Sequence, residues 1–179
     1  MNNIFIRQLN TADSDELFWL IDSNRDYLGN WLPWIAHTIS KSDTEAFIHK
    51  SLDLYQERKG YFCGIFIQNR IVGVIGATEY SDTSNAMYLN YWVSAAWSNR
   101  GIATQAGRQL IRFLESEWGI DIFFITLSDK NIASLRVAEK LGFQFSNTLP
   151  DSNQNTDSLI ANHLYKRLKE NPDDLFSEI

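Results

Sequence analysis

Val93-Ser94-Ala95-Ala96-Trp97-Ser98-Asn99-Arg100-Gly101-Ile102-Ala103-Thr104 runs from the end of a strand, through a short loop, into the first turn of a long helix. Upstream, Met87 to Val93 is rich in apolar and aromatic side chains. Downstream, Ala103, Gly107, Leu110, Ile111, Leu114 and Trp118 recur at helical spacing up to Gly119, a glycine placed to end the helix. Asp121 to Leu127 then reads as a buried strand. Strand, helix and strand in that order predict a right-handed crossover, with the two strands as parallel neighbours. The first turn of the helix leaves backbone N–H groups unpaired at the positive end of its dipole, which suits an anion. Gly101 and Ala103 are small enough to let a phosphate approach, although ordinary helix packing also uses small residues there.

Outward from this unit, Ile4 to Leu9 reads as a first strand. Asp13 with Glu16 marks a helix start, with Leu17, Leu20 and Ile21 on its apolar face. Pro33 interrupts helical geometry in Asn30-Trp-Leu-Pro-Trp34. Ser42-Asp-Thr-Glu45 reads as a capping box before a helix that carries Phe47, Ile48, Ser51, Leu54 and Tyr55. Tyr61 to Ile67, Ile71 to Thr78 and Met87 to Val93 are strand runs separated by turn chemistry, and they predict consecutive antiparallel strands. Asn131 caps a short helix that ends at Gly142, with Leu135, Ala138 and Leu141 inward. Phe143 to Thr148 and Leu159 to Leu168 complete the strands. The expected class is α+β: a mixed, mostly antiparallel central sheet flanked by helices on both faces. Residues 1–170 form one domain in this reading, and 171–179 an acidic tail.

At 179 residues, with 44% hydrophobic side chains and 21% charged ones, the chain can bury roughly 70% of its unfolded surface in one core. Cys63 is the single cysteine. Within an apolar run and without a neighbouring base, it reads as a buried small hydrophobe. No Cys/His pair has zinc spacing, so no metal is expected. The net charge of −6 argues against nucleic acid as the main partner, since phosphate neutralisation needs clustered Lys and Arg. Met1 to Leu9 lacks the basic and apolar regions of a signal peptide. No apolar run approaches the roughly 18 residues of a membrane span. The expected location is the cytoplasm, with no membrane partner.

Trp97, Arg100, Gly101, Ala103 and Thr104 resemble the acetyl-CoA pyrophosphate loop of the GNAT acetyltransferases, roughly Pro-Glu-Tyr-(Gln/Arg)-Gly-Lys-Gly-x-(Gly/Ala)-Thr. Asn131-Ile-Ala-Ser134, followed by Glu139-Lys-Leu-Gly-Phe143, resembles the second cofactor motif of that family. Two motifs in order, separated by room for one helix and one strand, are far more specific than either alone. Asn24-Arg-Asp-Tyr-Leu-Gly-Asn-Trp-Leu-Pro-Trp34 and Tyr91-Trp92 are similar to the bacterial ribosomal-protein-serine N-acetyltransferase branch. The likeness spans roughly Ile4 to Leu168. Departures are Ala95 for Pro, Ala96 for Glu, Ser98 for Gln/Arg and Asn99 for Gly; none removes a backbone donor. After Phe143 the Glu-Gly pair of the family is missing, and Asp151 to Ser158 forms a polar loop.

The resemblance implies acetyl-CoA as co-substrate, with Trp92, Val93, Ser98, Asn99, Arg100, Gly101, Ile102, Ala103, Thr104, Asn131 and Ser134 as its contacts. A backbone N–H at Trp92 or Val93 would polarise the thioester carbonyl. Asn131 would hold the cofactor arm or simply cap its helix. Many relatives carry an acidic Tyr four residues after Ser134, where this chain has Ala138, so Ser134 is the candidate to hydrogen-bond the leaving thiolate. Glu79 is the candidate base, with His37 and Glu45 as rivals. Trp31, Leu32, Trp34 and His37 would wall the acceptor pocket, since aromatic faces suit an aliphatic or cationic amine. The implied reaction is acetyl transfer to a primary amine, foremost the N-terminus of a ribosomal protein. A small-molecule amine acetyltransferase and a non-catalytic acyl-CoA-binding module are the alternatives. A homodimer is expected by analogy.

Overall fold

The chain runs β1 (Ile4–Gln8), α1 (Ser14–Asp22), α2 (Arg25–Gly29), a 3₁₀ turn (Pro33–His37), α3 (Lys41–Gln56), β2 (Tyr61–Ile67), β3 (Arg70–Ser81) and β4 (Ala86–Val93). It continues with a 3₁₀ turn (Ala95–Trp97), α4 (Ile102–Phe113), β5 (Ile122–Ser128), α5 (Ile132–Lys140), β6 (Gln144–Leu149) and β7 (Asn162–Leu168). The computed structural model describes residues 4–81, 84–149 and 162–169, with side chains left aside at 79–81. The polar loop at 151–158 and the tail at 171–179 lie outside the described residues.

Seven strands form one sheet in the order β1-β2-β3-β4-β5-β7-β6. Every pairing is antiparallel except β4 with β5, which is parallel as the strand-helix-strand reading requires. Alternation along the strands splits the core in two. Ile65, Ile75, Met87, Leu89 and Phe123 pack on one face under α4 and α5, with Ala106, Leu110 and Ala138. Phe66, Ile71 and Val74 pack on the other face with Leu17, Ile21, Leu28, Ile35 and Ile48 from the α1–α3 layer. Cys63 is fully buried on the α4 face, and burial pushes its thiol up to about 12.

Helix α1 starts after Asp13 as expected, but the capping bonds at α1 and the start of α3 differ from expectation. Asn10 forms a capping box with Asp13. The Asp13 carboxylate does not cap α1, because it accepts two bonds from the Arg7 guanidinium, both 2.7 Å. Burial raises the Asp13 pKa, but the Arg7 and Asn10 hydrogen bonds outweigh it and hold the carboxyl below its usual range. The box before α3 is Ser40 with Asp43, not Ser42 with Glu45. The α2 helix and the 3₁₀ turns were not anticipated. The long helix closes through one π-type turn, Leu114–Trp118, and Gly119 (φ 70°) ends it in the left-handed region as expected.

At the β1 edge, the Gln109 carboxamide of α4 receives the Ile6 N–H at 3.2 Å and donates to the Ile4 carbonyl at 3.0 Å. A side-chain amide thus stands where a further strand would pair.

Candidate active site

β4 and β5 pair only at Ala86↔Ile122, Met87↔Phe123 and Tyr88↔Phe124. Beyond those pairs the two strands part. β4 stays on β3 to Val93↔Gly73, and β5 stays on β7 to Ser128↔Asn162. The Ser94 N–H donates to the Val72 carbonyl at 2.9 Å. Strand alternation therefore turns the N–H and C=O groups of Leu89, Tyr91 and Val93 toward the opening, while those of Trp92 face β3. The close fit of β3 here requires Gly73: a Cβ on it would lie 2.3 Å from the Trp92 carbonyl oxygen.

The quoted loop leads from this opening into α4. Ala95–Trp97 makes a 3₁₀ turn in which the Ser98 hydroxyl donates to the Ala95 carbonyl at 3.0 Å. Asn99 (φ 58°) and Gly101 (φ 73°) both adopt the left-handed region. Asparagine tolerates that region better than most side chains, so Asn99 fills a glycine position of the family without losing the conformation. Among the described residues, none of the six consecutive N–H groups from Asn99 to Thr104 has a protein acceptor; the first helical bond is donated by Gln105 to Gly101. Left-handed turns beside a helix N-terminus gather such donors into an anion-binding concavity. Thr104 and Ile102 are buried. Arg100 stacks its guanidinium 5.0 Å from the Trp97 ring centroid.

On the far side of the opening, the Asn131 side chain caps α5 by accepting the Ser134 N–H at 3.0 Å. The Ser134 carbonyl receives the Tyr91 hydroxyl at 3.1 Å. Burial pushes the Tyr91 phenol up to about 12, against the pull of that hydrogen bond. The Ser134 hydroxyl is half-buried and has no bond to another described residue. Ala138, one turn on, is fully buried in the core.

Tyr91 and Trp92 point to opposite faces. Tyr91 meets α5, whereas Trp92 meets Trp34, ring centroids 6.5 Å apart. Trp31 and Trp34 are 43% and 41% exposed, and His37 is exposed at the end of its 3₁₀ turn. Arg25 holds this segment by donating to the carbonyls of Ile35 and Thr38 at 2.7 and 2.8 Å. Next to it, the Asn24 side chain accepts the Ala95 N–H at 2.9 Å, tying the helical layer to the loop.

The structure thus brings Val93, the 98–104 loop, Asn131 and Ser134 around one opening, with Trp92 and Trp34 on its reverse face. His37 makes no described contact with this group, and Glu45 lies on α3. Glu79 follows Thr78, the partner of Tyr88, at the level where β4 and β5 part, and its side chain lies outside the described residues. Tyr91, Asn24 and Arg25 were missed as site residues. The Asn24–Trp34 stretch and the Tyr91-Trp92 pair, quoted only as a likeness, are the signals that carried them. Among the described residues no group of side chains could hold a metal, and no helix is long and apolar enough to cross a membrane.

The family model of the acetyltransferase (GNAT) domain matches residues 3–144. Curated relatives include YdaF of Bacillus subtilis (strain 168), named provisionally as a ribosomal N-acetyltransferase, at 29% identity over 79% of this chain and 78% of its own. The ribosomal-protein-serine acetyltransferase of Escherichia coli (strain K12) is 25% identical over 85% of each chain. The solved structure of RimL, a ribosomal L7/L12 alpha-N-protein acetyltransferase in complex with coenzyme A, superposes with a TM-score of 0.87 at 21% identity, over 94% of this chain and 95% of that one. Microcin C7 self immunity acetyltransferase MccE, in complex with acetyl-CoA and AMP, gives 0.86 at 23% identity and 94% of both chains. At those identities the two structures speak for the fold. The chain belongs to the acetyltransferase (GNAT) domain family and is an acetyltransferase, with acetyl-CoA the acyl donor its family uses.

Proposed function

We propose that this chain transfers the acetyl group of acetyl-CoA to the N-terminal amine of a ribosomal protein. The observation that carries the donor half is the run of six N–H groups from Asn99 to Thr104 that no described residue accepts, at the end of a strand that has left its neighbour. These donors suit the diphosphate of the co-substrate, and the exposed edge of β4 suits the amides of its pantetheine arm. The acceptor half rests on the relatives named for ribosomal protein acetylation.

In this reading, the amine nitrogen attacks the thioester carbonyl, the carbon–sulfur bond breaks, and the thiolate leaves. The Val93 N–H, turned into the opening, stabilises the carbonyl oxygen as it gains charge. The Ser134 hydroxyl hydrogen-bonds the departing sulfur, the role that Ala138 cannot take. Glu79, by its backbone position beside the parting strands, is the proposed acceptor of the amine proton. Trp31, Trp34 and His37 wall the acceptor side, and Asn131 contributes to the donor side. Residues 1–170 act as one domain.

Release of free CoA from acetyl-CoA, followed with a thiol reagent, tests the reading. A Ser-starting ribosomal-type peptide is compared with a polyamine and aminoglycoside panel. Peptide-dependent release that falls at least tenfold in Ser134→Ala, with CoA affinity within threefold, supports it. Release with a small amine alone moves the acceptor to that class, and CoA binding without release to any amine leaves an acyl-CoA-binding module.

A further inference from the structure

Asn24 sits at the break between α1 and α2, where its side chain works in both directions. Its Nδ2 donates to the Leu20 carbonyl at 2.9 Å, anchoring it on the last turns of α1. Its Oδ1 accepts the Ala95 N–H at 2.9 Å, 71 residues away in the chain. Ala95 is the first residue of the 3₁₀ turn that opens the loop, and Ser94 before it is extended, with φ −60° and ψ 154°. Four residues on, Asn99 begins the left-handed path and the run of unpaired N–H groups.

The family pattern places Pro where this chain has Ala95. Proline stiffens such a position by fixing φ, and it has no N–H to donate. Alanine leaves φ free but supplies a donor. We infer that Asn24 is a positioning residue for the acetyl-CoA loop: its hydrogen bond to the Ala95 N–H holds the start of the loop in the geometry that a proline ring would otherwise impose. Two devices, one covalent and one tertiary, thus serve one backbone position. The tertiary device has a further effect. It attaches the donor loop to the same corner from which Arg25 holds the Trp34 segment, so the donor and acceptor walls share one support. The inference rests on the acetyl-CoA reading above.

The test is a double-mutant cycle on CoA affinity, measured by isothermal titration of the full chain. Its members are wild type, Asn24→Ala, Ala95→Pro and the double variant, each with its melting temperature. The extended Ser94 and the helical N1 setting of Ala95 both suit the proline backbone. Because the ring takes the place of the N–H hydrogen, the Asn24 side chain swings aside in Ala95→Pro, whose melting temperature reports whether the fold is kept. The expected result is a five- to twentyfold loss of CoA affinity in Asn24→Ala and a change under threefold in Ala95→Pro. In the proline background, Asn24→Ala then costs less than twofold. A merely structural role at the α1–α2 corner would cost the same factor in both backgrounds, and that outcome overturns the inference. So does an Asn24→Ala chain that binds CoA like wild type. A wild-type chain that binds no CoA overturns the acetyl-CoA reading itself and this inference with it, so the two failures are told apart.

Discussion

The Tyr91 hydroxyl donates to the Ser134 carbonyl oxygen at 3.1 Å, bridging β4 and α5 across the opening between the parted strands. Because the Asn131 side chain holds the Ser134 N–H, the residue is fixed from both peptide groups and only its hydroxyl is left to act. Tyr91→Phe keeps the ring and loses the bridge. A hydrogen bond of this kind is worth about 1 kcal/mol net. The expected outcome is a kcat lowered about three- to tenfold, with KM for acetyl-CoA changed less than twofold. Unchanged kcat in CoA-release assays would remove the bridge from the catalytic account.

Alkali provides a second check. Burial raises both the Tyr91 phenol and the Cys63 thiol to about 12, from ordinary values of 10.0 and 9.0. Raised folded-state values mean that the fold favours the neutral forms. Their contribution is complete below the unfolded values and is lost as pH climbs from about 9 toward 12. The urea midpoint should hold between pH 7 and 9 and fall above. Cys63→Ala should flatten that fall while lowering the midpoint at neutral pH through the cavity it leaves. A fall of equal steepness in Cys63→Ala would remove the thiol from the account.

Asn99 separates conformation from side-chain chemistry. At φ 58°, glycine takes its place without strain, whereas a β-branched residue does not. Asn99→Gly should bind CoA within threefold of wild type, and Asn99→Val should lose about tenfold. Equal losses in the two variants would mean that the asparagine amide itself, rather than the backbone turn, matters for binding.

Gly73 is where the sheet cannot yield. A Cβ there would stand 2.3 Å from the Trp92 carbonyl oxygen and 2.9 Å from the Val93 Cα. Both are backbone atoms of β4, the strand that lines the opening. Gly73→Ala should cost about 2 kcal/mol or more, a melting point lower by roughly 4–8 °C. It should also lower acetyl transfer beyond what the lost folded fraction explains. A variant as stable and as active as wild type would show that β4 shifts freely.

Periodic and special-backbone signals were the legible part of this chain. The stripe from Ala103 to Trp118, the helix-ending Gly119, and the apolar runs of the central strands depend on residues a few positions apart. They set element type and the parallel placement of β4 beside β5. The capping bonds fell on other pairs than expected because Asn10/Asp13 and Asp13/Glu16, like Ser40/Asp43 and Ser42/Glu45, satisfy the same local rule. Arg7 decides the first case by claiming the Asp13 carboxylate from β1, six residues back. Nothing local announces that Tyr91 will reach Ser134, Asn24 will reach Ala95, or Arg25 will reach Ile35 and Thr38. Those bonds join side chains to backbone groups 10 to 71 positions away, and a backbone partner leaves no trace in residue identity.

The three-pair joint between β4 and β5 makes each strand a lever. Val93 lies five residues beyond the last pair, roughly 17 Å at the rise of an extended chain. At that radius a tilt of about 3° at the joint carries the Val93 N–H through about 1 Å, a displacement that can change a rate by about a hundredfold. Precision at the tip is therefore set by the braces along the arm more than by the joint, and a substitution far from any reacting atom can detune the enzyme by altering an angle.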